Sequence, residues 1–219
     1  MTKLCIFDLD GTVLDTVETI AYYGNYALEK NGIAPIPVEQ YKTLVGNGAK
    51  NLIQKMLQVR GCLTEERFQA VFSVYDAAYN ANTSYKTKMY DGIFETLEAI
   101  KAAGIQIAIL SNKPHFATCG VVKALFGDDY FDLVLGQREG YPLKPNPTVV
   151  QQIMSDFGVS PEECLYMGDT GTDMKTGKNA GIFTIGVLWG FRGIDELLAS
   201  GADATVDTPQ ALLNYIQKG

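Results

Sequence analysis

The chain has 219 residues, of which 47% are hydrophobic and 20% are charged, and its mean hydropathy is +0.01. This balance excludes an intrinsically disordered or membrane-embedded polypeptide, and we expect a globular protein with a sizeable core. The 18 basic and 25 acidic residues give a formal net charge of −7, so nucleic acids and anionic membranes are poor expected partners.

Cysteine usage favours a reducing compartment. The chain has four cysteines without a CxxC pair or any close spacing, so we expect free thiols. The first apolar run ends at Asp8 and is too short for a signal peptide, and no apolar stretch reaches 18 residues. We therefore expect a cytoplasmic protein, either a monomer or a homodimer.

Short apolar runs that end in polar or glycine-containing turns predict buried parallel strands. In chain order, they cover residues 4–7, 105–110, 131–135, 164–167, 182–187 and, more weakly, 204–206. Helical patterns separate them at residues 93–103, 116–125, 147–157, 173–180 and 209–216. This alternation predicts an α/β fold with a doubly wound, mostly parallel sheet, in which chemistry collects at the carboxyl ends of the strands.

The long segment between the first two runs predicts a second domain. Apolar residues recur at helical intervals from Val17 and again from Phe68, and Asn31-Gly32 and the prolines at 35 and 37 end the first helix. We predict an inserted all-helical domain at residues 16–88 and an α/β core at residues 1–15 and 89–219. The hinges are expected at residues 15–16 and 86–90.

The string DLDGT at residues 8–12 follows the first predicted strand. The carboxylates of Asp8 and Asp10 suit a nucleophile with an acid/base partner, or a site for a hard metal ion. A helix cap or a surface turn is the structural alternative. A calcium-binding loop is excluded because Val13 and Thr19 stand where glycine and glutamate are required.

Three other predicted strands are followed by polar groups that could bind a phosphate or a metal ion. Residues 111–113 read Ser-Asn-Lys, whose hydroxyl, amide and backbone N–H groups can hold a phosphate. Lys144 follows the third strand and offers a mobile ammonium group. Asp169 and Asp173 follow the fourth strand and offer oxygen ligands. Taken singly, each group could instead be a helix cap, a solvated side chain or a turn former.

The combined charge of these groups predicts a bound cation. Carboxylates converging from Asp8, Asp10 and Asp169 would repel one another by about 4 kcal/mol per pair at ~4 Å and an effective dielectric of ~20. Mg²⁺ prefers carboxylates, carbonyls and waters, and it commonly binds phosphate oxygens beside them. With Mg²⁺ and Lys144 present, the local field would attract a phosphate despite the acidic chain.

Four segments in this order, FDLDGT, LSNK, KPNP and GDTGTD, resemble the four motifs of the haloacid dehalogenase-like phosphohydrolases. The helical insert after the first motif is similar to the α-helical cap of that superfamily. The resemblance therefore covers essentially the whole chain and implies an α/β phosphatase whose closing cap excludes bulk water.

The resemblance also implies roles for the motif residues. Asp8 would attack phosphorus and form an aspartyl-phosphate, while Asp10 would protonate the leaving oxygen and later activate water. The ligands of Mg²⁺ would be Asp8, the backbone carbonyl of Asp10, and Asp169, with Asp173 supporting the metal's waters or orienting Lys144. The residues that would hold the phosphoryl group are Thr12, Ser111, Asn112 and Lys144.

The loop at residues 45–50 is the candidate for substrate choice. Its glycines allow a ligand to approach the backbone, although an ordinary helix start would also explain them. The string GNGA resembles the cap loop of phosphoglycolate phosphatases, which implies specificity roles for Gly46, Asn47 and Lys50. It also implies a small phosphorylated metabolite as substrate, with 2-phosphoglycolate as first choice. Gly171 and residues 189–192 depart from the family pattern.

Other functions share some of these features. A pyrophosphatase, another small-molecule phosphatase or a β-phosphoglucomutase-like phosphotransferase would use the same core, although Thr12 and a cap without histidine favour a phosphatase. A phospho-acceptor signalling domain normally carries its aspartate on the third strand and does not need the helical insert. His115 is the only histidine; we expect it at a helix start, and a His-rich zinc site is disfavoured.

Overall fold

The fold is described by a computed structural model for residues 1–216. Its strands, in chain order, are β1 (Leu4–Phe7), β2 (Leu14–Asp15), β3 (Lys88–Met89), β4 (Gln106–Pro114), β5 (Leu133–Gln137), β6 (Cys164–Gly168), β7 (Phe183–Val187) and β8 (Ala204–Val206).

The helices fall into a group that precedes β3 and a group that follows it. The first group is α1 (Val17–Lys30), α2 (Val38–Leu44), α3 (Gly48–Val59) and α4 (Glu65–Ala81). The second group is α5 (Ile93–Ala102), α6 (His115–Phe126), α7 (Thr148–Phe157), α8 (Gly171–Ala180), α9 (Ile194–Ala199) and α10 (Leu213–Ile216). No helix within residues 1–216 is both long enough and apolar enough to cross a membrane.

Six strands form one parallel sheet in the order β5-β4-β1-β6-β7-β8. Strand β1 is central, and all four of its residues are buried. Cys5 and Phe7 pack on one face with residues of α5 and α6, whereas Leu4 and Ile6 pack on the other face with residues of α7. Burial on both faces explains why β1 is a continuous apolar run, and the predicted doubly wound α/β class is confirmed.

Helices α1 to α4 have a hydrophobic core of their own. Its fully buried members include Leu28, Tyr41, Ile53 and Met56. The chain enters and leaves this helical segment through β2 and β3, which pair antiparallel. We therefore place the domain division at this ribbon and propose residues 16–88 as the cap, with hinges at residues 15–16 and 86–90. The predicted core includes residues 217–219, which lie outside the described residues.

Several predicted boundaries differ from the structure. Strand β4 continues past residue 110 to Pro114, so Ser111, Asn112 and Lys113 lie in the strand's irregular last part and not in a following turn. Strand β5 begins at Leu133 and not at residue 131. Phe131 lies before the strand and packs in the hydrophobic core. The predicted helix at 209–216 begins as a 3-10 turn, Pro209–Leu212, and continues as α10. The sequence patterns gave no indication of α9 or of the short β2-β3 pair.

Candidate active site

The carboxyl ends of three adjacent strands bring the motif residues together. Strand β1 lies between β4 and β6. After β1 the chain forms β4 and β5 on one side of it and then β6 to β8 on the other, and this reversal of strand order creates the type of crevice where α/β sheets bind ligands. Asp8 follows β1, Ser111 lies near the end of β4, and Asp169 follows β6. All three side chains are buried.

Asp8 lies at the centre of this edge. Its Oδ1 accepts a hydrogen bond from the backbone N–H of Leu9 at 2.7 Å and lies 2.9 Å from Nζ of Lys144. Burial and the neighbouring Asp173 carboxylate raise the pKa of Asp8 above its usual range, and Lys144 acts in the opposite direction. The buried carboxylate therefore requires a cation to remain ionised.

Lys144 supplies part of this positive charge, and its loop is fixed by Asn112. The Lys144 ammonium group lies 2.7 Å from Oδ1 of Asp173 and also donates to the carbonyl of Leu110 at 3.0 Å. Burial tends to lower the pKa of Lys144, but the carboxylates of Asp173 and Asp8 outweigh it and raise the pKa. The Asn112 amide accepts from the Lys144 backbone N–H at 2.8 Å and donates to its carbonyl at 3.1 Å.

Asp173 is held by the start of α8. Thr170 is the N-cap of this helix, and its backbone N–H and its hydroxyl both donate to Oδ2 of Asp173, at 3.1 and 2.5 Å. The motif spacing Thr-x-x-Asp thus forms a capping box. Asp173 thus contacts Lys144 through Oδ1 and Thr170 through Oδ2, and its two predicted roles, support of the metal's waters or orientation of Lys144, stay predictions.

Asp169 is held from two sides. The hydroxyl of Thr12 donates to its Oδ1 at 3.2 Å, and the backbone N–H of Phe191 donates to its Oδ2 at 2.8 Å. A Cβ on Gly11, whose φ is +91°, would lie 2.2 Å from the Asp169 carboxylate. Only glycine fits this close approach.

Asp8, Asp169 and Asp173 offer carboxylate oxygens that all lie within 4.8 Å of one another. Burial and the neighbouring Asp173 and Asp8 carboxylates raise the pKa of Asp169 well above its usual range. Buried carboxylates at this spacing repel one another, and a hard divalent ion relieves the repulsion through oxygen ligands. The donor set therefore fits Mg²⁺.

Asp10 has a different partner, Lys113. The Lys113 ammonium group lies 2.8 Å from Oδ1 of Asp10 and 5.0 Å from the centre of the Tyr79 ring. The Lys113 side chain is only 5% exposed. This lysine therefore positions the Asp10 carboxylate at the border between the sheet edge and the helical segment.

A cavity lies between the sheet edge and helices α1, α3 and α4. Residues of the core and of the helical segment both line it, as is expected of a substrate site between two domains. The lining residues of the core are Asp8, Asp10, Ser111, Asn112, Lys113, Pro114, Lys144, Thr170 and Phe191. Those of the helical segment are Ile20, Val45, Gly46, Gly48, Ala49, Leu52, Tyr75, Asp76, Tyr79 and Asn80.

One further set of contacts joins the two domains, and we name it the Arg192 clasp. The Arg192 guanidinium donates to the carbonyl of Val45 at 2.8 Å and to that of Lys42. Its Nε lies 3.2 Å from Glu196, whose other carboxylate oxygen accepts from the N–H of Gly171 at 3.0 Å. A Cβ on Gly171 would lie 2.5 Å from the Ser200 hydroxyl, so glycine lets the end of α9 approach α8.

The comparisons with known proteins agree with this arrangement. A family model described as haloacid dehalogenase-like hydrolase matches residues 5–187. The chain belongs to this family. The predicted family and the predicted phosphatase class are confirmed.

Relatives of this haloacid dehalogenase-like chain span its whole length. It is 31% identical over 214 residues to a phosphoglycolate phosphatase of Aquifex aeolicus, covering 98% of this chain and 96% of that one. It is 30% identical over 219 residues to a phosphoglycolate phosphatase of Haemophilus influenzae, with 98% of each chain covered. The crystal structure of a predicted phosphoglycolate phosphatase from Haemophilus somnus superposes with a TM-score of 0.92 at 28% identity, covering 99% of this chain and 98% of that one.

The predicted core residues of the haloacid dehalogenase-like motifs share one edge, although not all of them face the cavity. Asp8, Asp10, Ser111 and Lys144 line it. Thr12 is fully buried against Asp169 and does not line the cavity. Asn112 lines the cavity while its amide holds the backbone of Lys144. The phosphate-binding roles of these residues stay predictions.

Of the predicted specificity residues of the cap loop, one lines the cavity and two do not. Gly46 lines the cavity, and its carbonyl accepts from the Asn112 amide at 3.3 Å. Asn47 and Lys50 are exposed and do not line it. The Asn47 side chain instead accepts a hydrogen bond from the Thr172 hydroxyl at 3.0 Å, which joins the cap to α8. Their roles in specificity stay predictions.

Sequence reasoning missed several residues that surround the cavity. Lys113 belongs to the motif LSNK but received no role, although its side chain lines the cavity and pairs with Asp10. Tyr75 and Tyr79 were interpreted as packing residues, and they both pack in the cap core and line the cavity. The segment that carries Arg192 was noted only as a departure from the family.

Proposed function

We propose that this protein is a Mg²⁺-dependent phosphomonoester hydrolase that acts on a small phosphorylated metabolite through an aspartyl-phosphate on Asp8. The observation that carries the proposal is the position of Asp8, which lies within reach of Lys144 and the Asp169 carboxylate and lines the cavity under the cap. This arrangement supports the view that a nucleophile, a counter-charge and a metal site meet where a phosphate can enter.

The contacts of Asp8 support its role as the nucleophile. The Leu9 N–H and Lys144 both hold Oδ1, so the carboxylate has a fixed orientation and its other oxygen can attack phosphorus. The new Asp8–phosphorus bond forms as the bond from phosphorus to the leaving alcohol breaks. Holding the reacting groups in this way converts a bimolecular step into an effectively intramolecular one.

Asp10 would transfer the protons. Its carboxylic acid gives a proton to the departing alcohol oxygen, and its carboxylate then takes a proton from the water that cleaves the aspartyl-phosphate. The ion pair with Lys113 at 2.8 Å keeps this group at the junction of core and cap. Hydrolysis regenerates the Asp8 carboxylate and releases inorganic phosphate.

Mg²⁺ would be held by Asp8, Asp169 and the backbone carbonyl of Asp10, with Asp173 supporting the site. When bound, it would stabilise negative charge on the phosphoryl oxygens as a Lewis acid. Lys144 supplies the second positive charge, and Ser111 offers a hydroxyl at the cavity wall. Thr12 keeps Asp169 in place through its hydroxyl.

The names of the relatives and the GNGA string make 2-phosphoglycolate the reference substrate for any assay. The choice of this substrate would depend on the cap, whereas the reaction would depend on the core, and the two can be tested separately.

Asp8→Asn tests the proposal most directly. Phosphate release from 4-nitrophenyl phosphate in the presence of Mg²⁺ should fall by about 10³-fold or more, because the covalent route is lost. Acid quenching of the wild-type enzyme with labelled substrate should trap phosphate on Asp8. The exposed Asp156→Asn is the matched control. Turnover by Asp8→Asn near the wild-type rate, with an unchanged circular dichroism spectrum, would remove Asp8 from the nucleophile role.

A further inference from the structure

Among the described residues, two lysines line the cavity, Lys113 and Lys144, and their ammonium groups differ in how many hydrogen bonds they make. An ammonium group has three donors. Lys144 has an acceptor for each of them, namely two carboxylates and the carbonyl of Leu110. Within residues 1–216, Lys113 has one acceptor, Oδ1 of Asp10 at 2.8 Å. Lys113 therefore retains donors that a ligand can use.

The Lys113 ammonium group lies at the wall of the cavity. Its Nζ is 2.8 Å from Oδ1 of Asp10 and 5.0 Å from the centre of the Tyr79 ring, and both of these residues line the cavity. Since the Lys113 side chain is buried, folding has already removed most of the water from its charge. An anion that pairs with it gains attraction at a low effective dielectric.

The first turn of α3 adds positive character on the side of the cap. Gly48 and Ala49, the first two residues of this helix, line the cavity. The N-cap residue Asn47 makes no capping hydrogen bond among the described residues, and its side chain accepts from the Thr172 hydroxyl instead. The turn also carries no acidic residue. A helix start of this kind favours a nearby anion.

Contacts with Asn112 bring the start of α3 next to the strand that carries Lys113. A Cβ on Gly48 would lie 3.4 Å from the carbonyl oxygen of Asn112. The Asn112 amide donates to the carbonyl of Gly46 at 3.3 Å. The ammonium group of Lys113 and the helix start thus belong to neighbouring parts of the lining.

Three carboxylates line the cavity as well. Those of Asp8 and Asp10 lie 2.9 and 2.8 Å from Lys144 and Lys113, respectively. The third belongs to Asp76, a half-buried residue of α4 that forms no ion pair within residues 1–216. A second anion on the substrate is attracted by Lys113 and repelled by Asp76, so the charges of the lining orient it.

The proposed reaction limits how far this second anion can be from the phosphate. Asp10 gives its proton to the ester oxygen, so that oxygen lies at hydrogen-bond distance from the Asp10 carboxyl group, which also contacts Lys113. In 2-phosphoglycolate, a carboxylate oxygen lies about 3 Å from the ester oxygen, and a hydrogen bond to Nζ adds roughly 3 Å. A carboxylate one carbon away from the ester oxygen can therefore reach Lys113.

We propose, on the basis of the phosphatase activity proposed above, that Lys113 is a specificity-determining residue that binds the carboxylate of a short phosphorylated hydroxy acid such as 2-phosphoglycolate. The N–H groups at the start of α3 complete this site from the side of the cap. Because Lys113 lies on the core strand β4, the core contributes to the choice of substrate together with the cap.

An isosteric pair of substrates tests this on the wild-type enzyme. Carbamoylmethyl phosphate is the amide of 2-phosphoglycolate and differs from it in charge but hardly in size. With Mg²⁺ present, kcat/KM should be about tenfold or more higher for the carboxylate, a ratio that corresponds to ~1.4 kcal/mol. A kcat/KM for the amide equal to or above that for 2-phosphoglycolate overturns the proposal without the need for a variant.

Lys113→Met locates the preference in this side chain. It removes the charge at similar length, and the ratio of kcat/KM between carboxylate and amide should fall to within about twofold of one. Loss of the contact with Asp10 lowers the rate on both esters and cancels in the ratio. A ratio that stays at the wild-type value shows that Lys113 acts through Asp10 alone and overturns the proposal.

Two further variants act as controls for the lysine. Lys113→Arg keeps a cation and should retain most of the preference for the carboxylate. Lys123→Met removes a lysine whose side chain is 68% exposed, and it should leave the ratio unchanged. Loss of the ratio in Lys113→Arg to the same extent as in Lys113→Met contradicts recognition by charge.

A matched pair of substitutions tests the start of α3. Ala49→Asp places a carboxylate in the first turn, where it competes with the substrate anion, whereas Ala49→Asn has the same shape without charge. The preference for 2-phosphoglycolate should be about threefold or more lower in Ala49→Asp than in Ala49→Asn. Equal ratios overturn the part assigned to α3.

The generic substrate 4-nitrophenyl phosphate separates this inference from the proposed function. Phosphate release from it without any preference for the carboxylate over the amide overturns the inference alone. Absence of phosphate release from every ester overturns the proposed function itself and this inference with it.

Discussion

The two walls of the cavity are built on different physical principles. On the core wall, the central polar groups have several partners: Lys144 contacts two carboxylates and a carbonyl, and Asp173 contacts both Lys144 and Thr170. On the cap wall, the buried hydroxyl of Tyr79 has no hydrogen-bond partner among the described residues, and the buried apolar side chains of Ile20 and Leu52 line the cavity. The core residues are thus held by mutual polar contacts, whereas these cap residues are held by packing.

This difference indicates which wall of the cavity tolerates amino-acid substitutions. A network of mutual partners fails as a unit, since removing one member leaves buried charges unpaired. A wall with few internal hydrogen bonds can change its side chains at little cost to folding. One core can therefore serve several substrates through altered caps.

Lys144→Met should have the largest effect of the changes considered below. It removes the cation between Asp8 and Asp173, and we expect kcat to fall about 10³-fold and the free energy of unfolding to fall by about 3 kcal/mol. Activity on 4-nitrophenyl phosphate and urea unfolding measure the two effects. Lys178→Met is the control, because this side chain is 64% exposed. A Lys144→Met enzyme within tenfold of wild type would show that the core network is not needed as a unit.

Removal of the metal should make stability depend on pH. Burial raises the pKa of Asp8 and of Asp169, so without metal the folded state binds protons more tightly than the unfolded chain does. The stabilisation from these protons is present at low pH and is lost as the pH rises from about 4, the usual carboxyl range, through the raised pKa values. The Tm in EDTA should therefore fall over this interval.

Mg²⁺ binds the ionised carboxylates, so its stabilising effect should grow over the same pH interval. At a concentration 100 times Kd it should add about 2.7 kcal/mol, and ~1 kcal/mol moves Tm by about 2–4 °C in chains of this size. Thermal unfolding with and without Mg²⁺ between about pH 5 and 8 measures this. A Mg²⁺ effect independent of pH would contradict the assignment of these carboxylates as ligands.

Arg192→Ala should act on the cap and spare the chemistry. Loss of its hydrogen bonds to the Val45 and Lys42 carbonyls, at ~1 kcal/mol each, should raise KM about tenfold, while kcat changes by less than about threefold. Trypsin should also cleave more rapidly at Lys42 and Lys50. The exposed Arg67→Ala is the control. A fall in kcat with constant KM would instead place Arg192 with the core network.

Lys50→Ala should have the smallest effect. Its side chain is exposed and away from the cavity, so we expect kcat/KM on any ester to change by less than about twofold. Steady-state kinetics on 2-phosphoglycolate and 4-nitrophenyl phosphate provide the measurement. A selective loss on 2-phosphoglycolate would restore the specificity role that the sequence predicted for Lys50.

The sequence predicted the core wall far better than the cap wall, for a physical reason. Asp8, Ser111 and Asp169 each lie close to the end of an apolar run, and parallel strands bring such ends together whatever the details of packing. No comparable rule brings helix positions together. Tyr79 follows an ordinary helical period, and only the way α4 lies against the other helices turns it towards the cavity.

The Arg192 clasp illustrates the same limit. It joins residues that are about 150 positions apart in the chain, as the hydrogen bond from Arg192 to Val45 shows with its separation of 147. Gly171 looked like a departure from the family pattern, but it is the position that α9 approaches closely. Since α9 itself was not predicted, the reason for this glycine could not be either.

The β2-β3 ribbon has a consequence for the timing of catalysis. Strand β2 begins at Leu14, and the tight turn before it is closed by a hydrogen bond from the Gly11 N–H to the Leu14 carbonyl at 2.8 Å. The same turn carries Asp10, so we expect any movement of the cap about this ribbon to shift the carboxylate that we propose as the proton donor.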